Sequence, residues 1–267
     1  MARPLRIQYP GAFYHITSRG NERRNVFRIN RDRKRFLSYL ESATQRYGAA
    51  IHGFCLMNNH YHLLVETPGA NLSQIMHHIN SAYTMYFNVK YERAGHLFQG
   101  RYKAILVDVD EYAKELSRYI HLNPVRAGIV DDPEDYPWSS YSFYIGKQKS
   151  PKWLVKDFIL SFFRGTSLQR RKRYKAFVLS VLNQGYENPL RHVVESTILG
   201  SADFVEQIRE TYLKTKMPDR DLPALRRLAH RPTFEEIKKA AGSVFGRNEV
   251  LIRHVSLYFS HKYSGRT

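Results

Sequence analysis

Two histidines one residue apart, His60 and His62, are the first feature of the 267-residue sequence that could do chemistry. On a β-strand, side chains alternate between faces, so residues two apart leave the same side. Two neutral imidazoles held side by side make half of a divalent-metal site. The spacing alone is a weak signal, because twelve histidines in a chain of this length give about half of one such pair by chance. A second pair lies further along. Tyr119 and Asn123 are four residues apart and share a face wherever the segment is helical. A phenol beside an amide oxygen suits metal-assisted transesterification, with the phenol as nucleophile and the amide oxygen as a hard third ligand for Mg2+ or Mn2+. Pro124 biases Asn123 away from α geometry, so this shared face requires the helix to run to its last turn there.

Periodicity predicts the elements that must position these four side chains. Residues 12–19 mix aromatic and β-branched types and stop at Gly20-Asn21, which reads as a strand and a turn. Over residues 32–47, Phe36, Leu37, Leu40 and Ala43 recur at helical spacing, and Gly48 follows as a stop. Residues 50–57 and 60–66 form two strands joined by Asn58-Asn59, a hairpin whose second arm carries His60 and His62. From Leu72 to Tyr91 a long amphipathic pattern follows, and residues 101–109 alternate into a fourth strand. Asp110 is expected to cap a further helix that bears Tyr119 and ends before Pro124. The order predicts an α+β fold, a ferredoxin-like split β-α-β-β-α-β antiparallel sheet with helices on one face, an added tyrosine-bearing helix and an α-helical C-terminal region. Tyr61, between the two histidines, should then face the core.

Composition sets the partner. Lys and Arg number 42 against 24 Asp and Glu, a net charge of +18, which favours a polyanion, nucleic acid first. With Cys55 the one cysteine, neither a disulfide framework nor a thiolate zinc site is available. The basic start lacks the apolar run of a signal peptide, and no window approaches eighteen apolar residues, so a cytoplasmic, nucleoid-associated protein without membrane spans is expected. Three regions are expected: 1–145, the domain with the candidate residues; 146–220, helical and basic; and 221–267, a small helical segment. Residues 213–232, charged and with three prolines, read as a linker. Arg19, Arg23, Arg24, Arg101 and Lys103 surround the sheet ends and could track phosphates, and Arg170, Arg171, Lys172 and Arg173 could clamp a backbone. The plain alternative for each is a solvated surface charge.

Three segments together resemble a known family. They are Tyr14-His15-Ile16-Thr17-Ser18-Arg19-Gly20, Asn59-His60-Tyr61-His62-Leu63-Leu64 and Tyr119-Ile120-His121-Leu122-Asn123-Pro124-Val125-Arg126-Ala127-Gly128. In this order, and with Gly95-His96-Leu97-Phe98-Gln99-Gly100-Arg101-Tyr102 between them, they resemble the REP-associated tyrosine transposases, single-tyrosine HUH enzymes, over about residues 3–145. The resemblance implies His60 and His62 as metal ligands, Asn123 as a third, and Tyr119 as nucleophile. It further implies cleavage of single-stranded or hairpin DNA through a 5′-phosphotyrosine with a free 3′-hydroxyl, and rejoining at hairpin-forming repeats without ATP. No Walker-type loop is present, so no nucleotide cofactor is expected. Lys103 is a candidate general base. Monomer and homodimer, with a site in cis or in trans, both stay open. Pro232 to Gly246 followed by Val250 to Tyr258 resembles part of the DnaA helix-turn-helix domain, in which Arg253, His254 and Lys262 could reach DNA.

Two other readings remain. A non-catalytic nucleic-acid-binding module on the same fold would show exposed aromatics on an open sheet face. A metal hydrolase using water would release DNA without a tyrosyl adduct.

Overall fold

Alternating aromatic and β-branched residues place β1 (Ala12–Arg19) in the middle of the sheet, where it is buried almost throughout. The structure, a computed structural model, describes residues 6–182, 186–213, 234–246 and 248–260. The expected linker beyond residue 213 and the candidate DNA contact Lys262 lie outside these residues. Two compact units are present, Pro4–Val205 and a smaller one that holds Glu206–Thr267.

In the larger unit the sheet order is β2-β3-β1-β4-β5. The hairpin of β2 (Ala50–Leu56) and β3 (His60–Thr67) is antiparallel, with one irregularity between Ile51 and Gly53. β1 pairs antiparallel with β3 on one side and with β4 (Lys103–Val107) on the other. The first four strands thus give the split β-α-β-β-α-β arrangement. A two-residue β5 (Ile198–Leu199) adds to β4 in parallel, which no periodicity announced because two residues have none.

Helices α1 (Asn30–Tyr47) and α2 (Leu72–Lys90) pack on each other and cover one face. Gly48 ends α1 in the left-handed conformation that glycine adopts without cost, as its position predicted. Tyr61 points to this side: its ring lies 4.8 Å from that of Phe36, and its hydroxyl donates to Asn80 Oδ1 at 2.6 Å. The tyrosine helix α3 (Val109–Arg126) does not join them; it covers the opposite face. The two helices of the split arrangement thus share one face as expected, and the added tyrosine helix takes the other. Strands buried on both sides require two covering layers, and β1 and β3 are such strands.

Both ends of α3 differ from expectation. Asp108, not Asp110, occupies the N-cap position, and the helix runs through Pro124 to Arg126. Proline removes the N–H that Ile120 O would have accepted. Asn123 softens that loss from its side chain, since Nδ2 donates to Tyr119 O at 2.8 Å and reaches Ile120 O at 3.5 Å.

Beyond α3, the short helices α4 (Tyr141–Tyr144) and α5 (Asp157–Ser161) and the basic helix α6 (Ser167–Leu179) pack onto the same face. Tyr144, Ile159, Tyr174 and Val178 share one core with Phe13, Cys55, Leu116 and Ile120. The packing therefore has no break at residue 145, and the chain leaves this unit within α7 (Ala202–Ile208). His121 ties α3 to α6: Nδ1 meets Tyr174 Oη at 2.6 Å, and Nε2 meets Ser140 Oγ at 2.7 Å. Burial pushes the His121 pKa down to about 3. An unfolded histidine takes a proton near pH 6.5, so the unfolded chain binds more protons between about 6.5 and 3. Stability from this residue is therefore complete above pH 6.5 and falls as the pH drops toward 3. Urea midpoints should decline from pH 7 to 5, where carboxylates are still ionised, and His121→Gln should flatten that decline. Equal slopes in the two proteins would refute it.

The smaller unit contains α8 (Phe234–Phe245) and α9 (Glu249–Phe259), which pack on each other. Asn248 Oδ1 caps α9 by accepting from Leu251 N–H at 3.1 Å. Both expected helix patterns are thus helices, and Arg253 and His254 are exposed on the second.

Candidate metal and nucleophile site

Residues from three elements meet beneath α3. β3 brings His60 and His62 to one face, with ring centroids 5.0 Å apart. β1 adds His15, whose ring stacks on His62 at 5.2 Å, and α3 adds Tyr119, edge-on at 5.8 Å from His62 and 6.0 Å from His15. The Arg126 guanidinium lies 4.8 Å from the Tyr119 ring centroid, about two helical turns further on. All of these contacts are within one chain. Tyr119, His62 and Asn123 are buried and His60 is half-buried.

The proton on His60 can be traced. His60 Nδ1 lies 2.7 Å from Asn59 Oδ1, an oxygen that can only accept. Nδ1 therefore carries the hydrogen, and Nε2 is left with a lone pair. His62 Nδ1 lies 2.9 Å from His15 Nε2, so Nε2 is the atom of His62 open to a ligand. Burial lowers the pKa of His60, with the Arg19 charge adding to it, and burial holds His62 well below the ordinary imidazole value. Neutral imidazoles are the form that binds metal. Asn123 commits its amide nitrogen to α3 carbonyls, and its oxygen makes no hydrogen bond among the described residues. Two imidazole nitrogens and an amide oxygen suit a divalent cation that accepts nitrogen and oxygen donors. Among the described residues no group of three His, Cys, Asp or Glu side chains is arranged for a metal, so any site here depends on the amide.

Asn59 and His15 were missed as site residues. Asn59 also donates from Nδ2 to Arg23 O at 3.1 Å, and its carbonyl accepts from Gly20 N–H at 2.7 Å. It therefore joins the loop after β1 to the ligand pair. Gly20 is required there, because a Cβ would lie 2.1 Å from Arg24 O. The available signal was the rule that a metal-binding histidine is oriented through its other nitrogen. Which residue does so depends on strand register. Asn59→Ala should weaken Mn2+ affinity by about 10- to 100-fold, while Asn59→Asp retains most of it. Calorimetric titration checks this; unchanged affinity in Asn59→Ala would rule out the orienting role.

The basic residues divide into two groups. Arg19 faces His60 across the β1–β3 register, Lys103 faces Thr17, and the 97–99 segment bonds to Arg19 and Asn21. Arg19, Arg23, Arg24, Arg101 and Lys103 are therefore exposed at the His60 end of the sheet. Arg24 pairs there with Glu22, and Arg19 donates to Gln99 Oε1. Arg170 to Arg173 belong to α6, where Arg170 and Arg173 donate to the carbonyls of Gly165 and Arg164 and Lys172 is exposed. Among the described residues the aromatics of the sheet strands, Phe13, Tyr14, Phe54 and Tyr61, are all buried, unlike the exposed aromatics expected of a binding module.

Residues 8–123, a span that includes β1, β3, Tyr119 and Asn123, match the family model described as IS200-like transposase. A solved REP-associated tyrosine transposase bound to a REP hairpin is similar at 16% identity and a TM-score of 0.49, over 62% of this chain and 93% of its own. A Deinococcus radiodurans protein assigned as a transposase is similar at 17% identity and a TM-score of 0.33, over 44% and 95%. Likenesses at this level carry no chemistry across. No curated protein sequence matches the chain significantly. Among the described residues no helix is long and apolar enough to cross a membrane.

Proposed function

We propose that this chain is a transposase that nicks and rejoins single-stranded DNA by tyrosine transesterification, with Tyr119 as nucleophile and His60, His62 and Asn123 as metal ligands. The observation that carries it is the approach of the Tyr119 and His62 rings to 5.8 Å within one chain. Nothing about spacing in the sequence requires residues 57 positions apart to meet there. The same approach favours a site assembled in cis, in a monomer or in each subunit of a dimer.

Tyr119 Oη attacks the scissile phosphorus in line. The bond from phosphorus to the 3′-oxygen breaks, and that oxygen leaves as a 3′-hydroxyl. Arg126 holds its positive charge over the ring, within reach of a phosphate brought to Tyr119. His60 and His62 would offer Nε2, and Asn123 its Oδ1, to a bound cation. Mg2+ or Mn2+ there would supply Lewis-acid polarisation of the phosphate. Buried walls around Tyr119 limit water, so the phosphotyrosine persists until a second 3′-hydroxyl attacks it. Hairpin-forming repeats are the proposed substrate, on the strength of the three resembling segments. Arg19, Arg23, Arg24, Arg101 and Lys103 are placed to hold backbone phosphates at the His60 end.

End-labelled hairpin oligonucleotides test this directly. With Mn2+, a 3′-end label should move with the protein on a denaturing gel, and a 5′-end label should appear as a shorter strand that a polymerase extends. Cleavage with no protein-linked label would favour the water-using hydrolase and sink the tyrosine mechanism.

A further inference from the structure

Three fully buried polar side chains around α3 have no place in the mechanism above: His121, Ser140 and Tyr174. Burying such groups costs free energy unless each donor and acceptor is matched. Both ends of the set are backbone groups with one possible role each. At one end Phe54 N–H, on β2, donates to Ser140 Oγ at 2.9 Å. At the other, Lys114 O, on α3, accepts from Ser117 Oγ at 2.7 Å. A hydroxyl has one hydrogen, so Ser117 Oγ accepts from Tyr174 Oη at 3.1 Å. Tyr174 Oη has then given its hydrogen and accepts from His121 Nδ1–H at 2.6 Å. On the neutral ring that burial enforces, Nε2 is left to accept from Ser140 Oγ at 2.7 Å. The longer contact of Ser140 Oγ with Phe54 O, 3.2 Å, gives way, since that oxygen already accepts from Ser140 N–H at 2.9 Å. Donation thus runs in one direction from β2 through Ser140, His121, Tyr174 and Ser117 to the backbone of α3.

The two ends of this chain are the two halves of the candidate site. Ser117 and His121 are four apart and share a face of α3, and Tyr119, midway between them, points the other way. Phe54 stands opposite Leu63 on β3, and its neighbour Cys55 stands opposite His62. The back of the nucleophile helix is therefore bonded to the strand beside the proposed metal ligands. Leu116, Ile120 and Leu122 also hold α3 in this core, by apolar contacts. Such contacts are non-directional, whereas hydrogen bonds weaken steeply away from their preferred distance and angle. In-line attack needs that precision, since misplacing a reacting group by about 1 Å costs about 100-fold in rate.

We propose that His121 is a positioning residue for Tyr119, which it holds against His62 through Ser140 and Tyr174, an inference that rests on the tyrosine reading above. Ser140 and Tyr174 lie beyond residues 8–123, the span that matches the family model. The segment after Asn123 therefore serves the reaction as well as the core.

The test follows adduct formation by the full chain in single turnover, with protein in excess over a 3′-end-labelled hairpin oligonucleotide and with Mn2+. All variants are compared below their unfolding midpoints. Tyr174→Phe and Ser140→Ala each open the chain of hydrogen bonds without touching the Tyr119 ring. Each should lower the limiting rate about 100-fold, while the protein concentration at half-saturation and the Mn2+ affinity change by less than about twofold. Both act through His121, so the double variant should stay within about threefold of either single one; independent effects would multiply to about 10⁴-fold. Tyr141→Phe is the control. Its hydroxyl is buried in the same core with no partner among the described residues, and losing it should change the rate by less than about twofold. The positioning role is overturned if Tyr174→Phe and Ser140→Ala react as fast as Tyr141→Phe, if half-saturation shifts in place of rate, or if the two effects multiply. A wild-type adduct with unslowed variants overturns this inference alone. A wild type that forms no adduct overturns the tyrosine reading and this inference with it.

Discussion

Tyr119→Phe should abolish the covalent protein–DNA adduct while leaving affinity for the same hairpin within about twofold. The substitution removes one oxygen and keeps the ring that packs edge-on against His15 and His62 beneath Arg126. Among the described residues the hydroxyl makes no hydrogen bond, so its loss leaves no buried group unpaired. Removing a nucleophile costs on the order of 10⁴-fold or more in rate, and nothing in the ring packing compensates. Denaturing gels measure the adduct, anisotropy measures binding, and thermal melting shows whether the fold is kept. An undiminished adduct would remove Tyr119 from the mechanism; cleavage retained without any adduct would transfer the role to water.

The two histidines should separate when each is replaced by alanine. His60 is half-buried and bonds only to Asn59, so His60→Ala should eliminate measurable Mn2+ binding and cleavage with little change in melting temperature. His62 is buried and partners His15, itself buried. His62→Ala should cause the same losses and also destabilise the fold by about 1–3 kcal/mol, the cost of leaving the His15 nitrogen unpaired. Calorimetry with Mn2+ and urea unfolding read the two effects separately. Wild-type cleavage undiminished in EDTA would dispose of the metal altogether, whatever the variants show.

Much of this was legible in the order of residues. Period-two alternation located β1 and placed β3 correctly enough that Tyr61 was assigned to the face opposite His60 and His62, where it lies against Phe36 and Asn80. Helical spacing located α1 and α2, and Gly48 marked the end of α1. The net charge of +18 pointed to a polyanion, and residues 8–123 match a family of transposases. Local rules work for such features because each depends on neighbours a few residues away: strand alternation, helical turn, cap.

The rest depended on pairing at a distance. Pro124 suggested a helix end, yet α3 continues to Arg126 because the Asn123 side chain reaches back to carbonyls and the face it packs on is apolar. That continuation brings Arg126 over Tyr119. Residues 146–220 were expected as a helical, basic region, and within it Ile159 and Tyr174 share a core with Leu116 and Ile120 of α3. The sequence by itself determined the pair His60 and His62, the strand that carries them and the tyrosine helix that follows. Only the tertiary structure decided that α3 crosses the sheet on the histidine side, and that the β1–β3 register sets His15 against His62. The physical reason is that register and layer are chosen by burial of both faces of β1 and β3, a property of the whole sheet that no single segment contains.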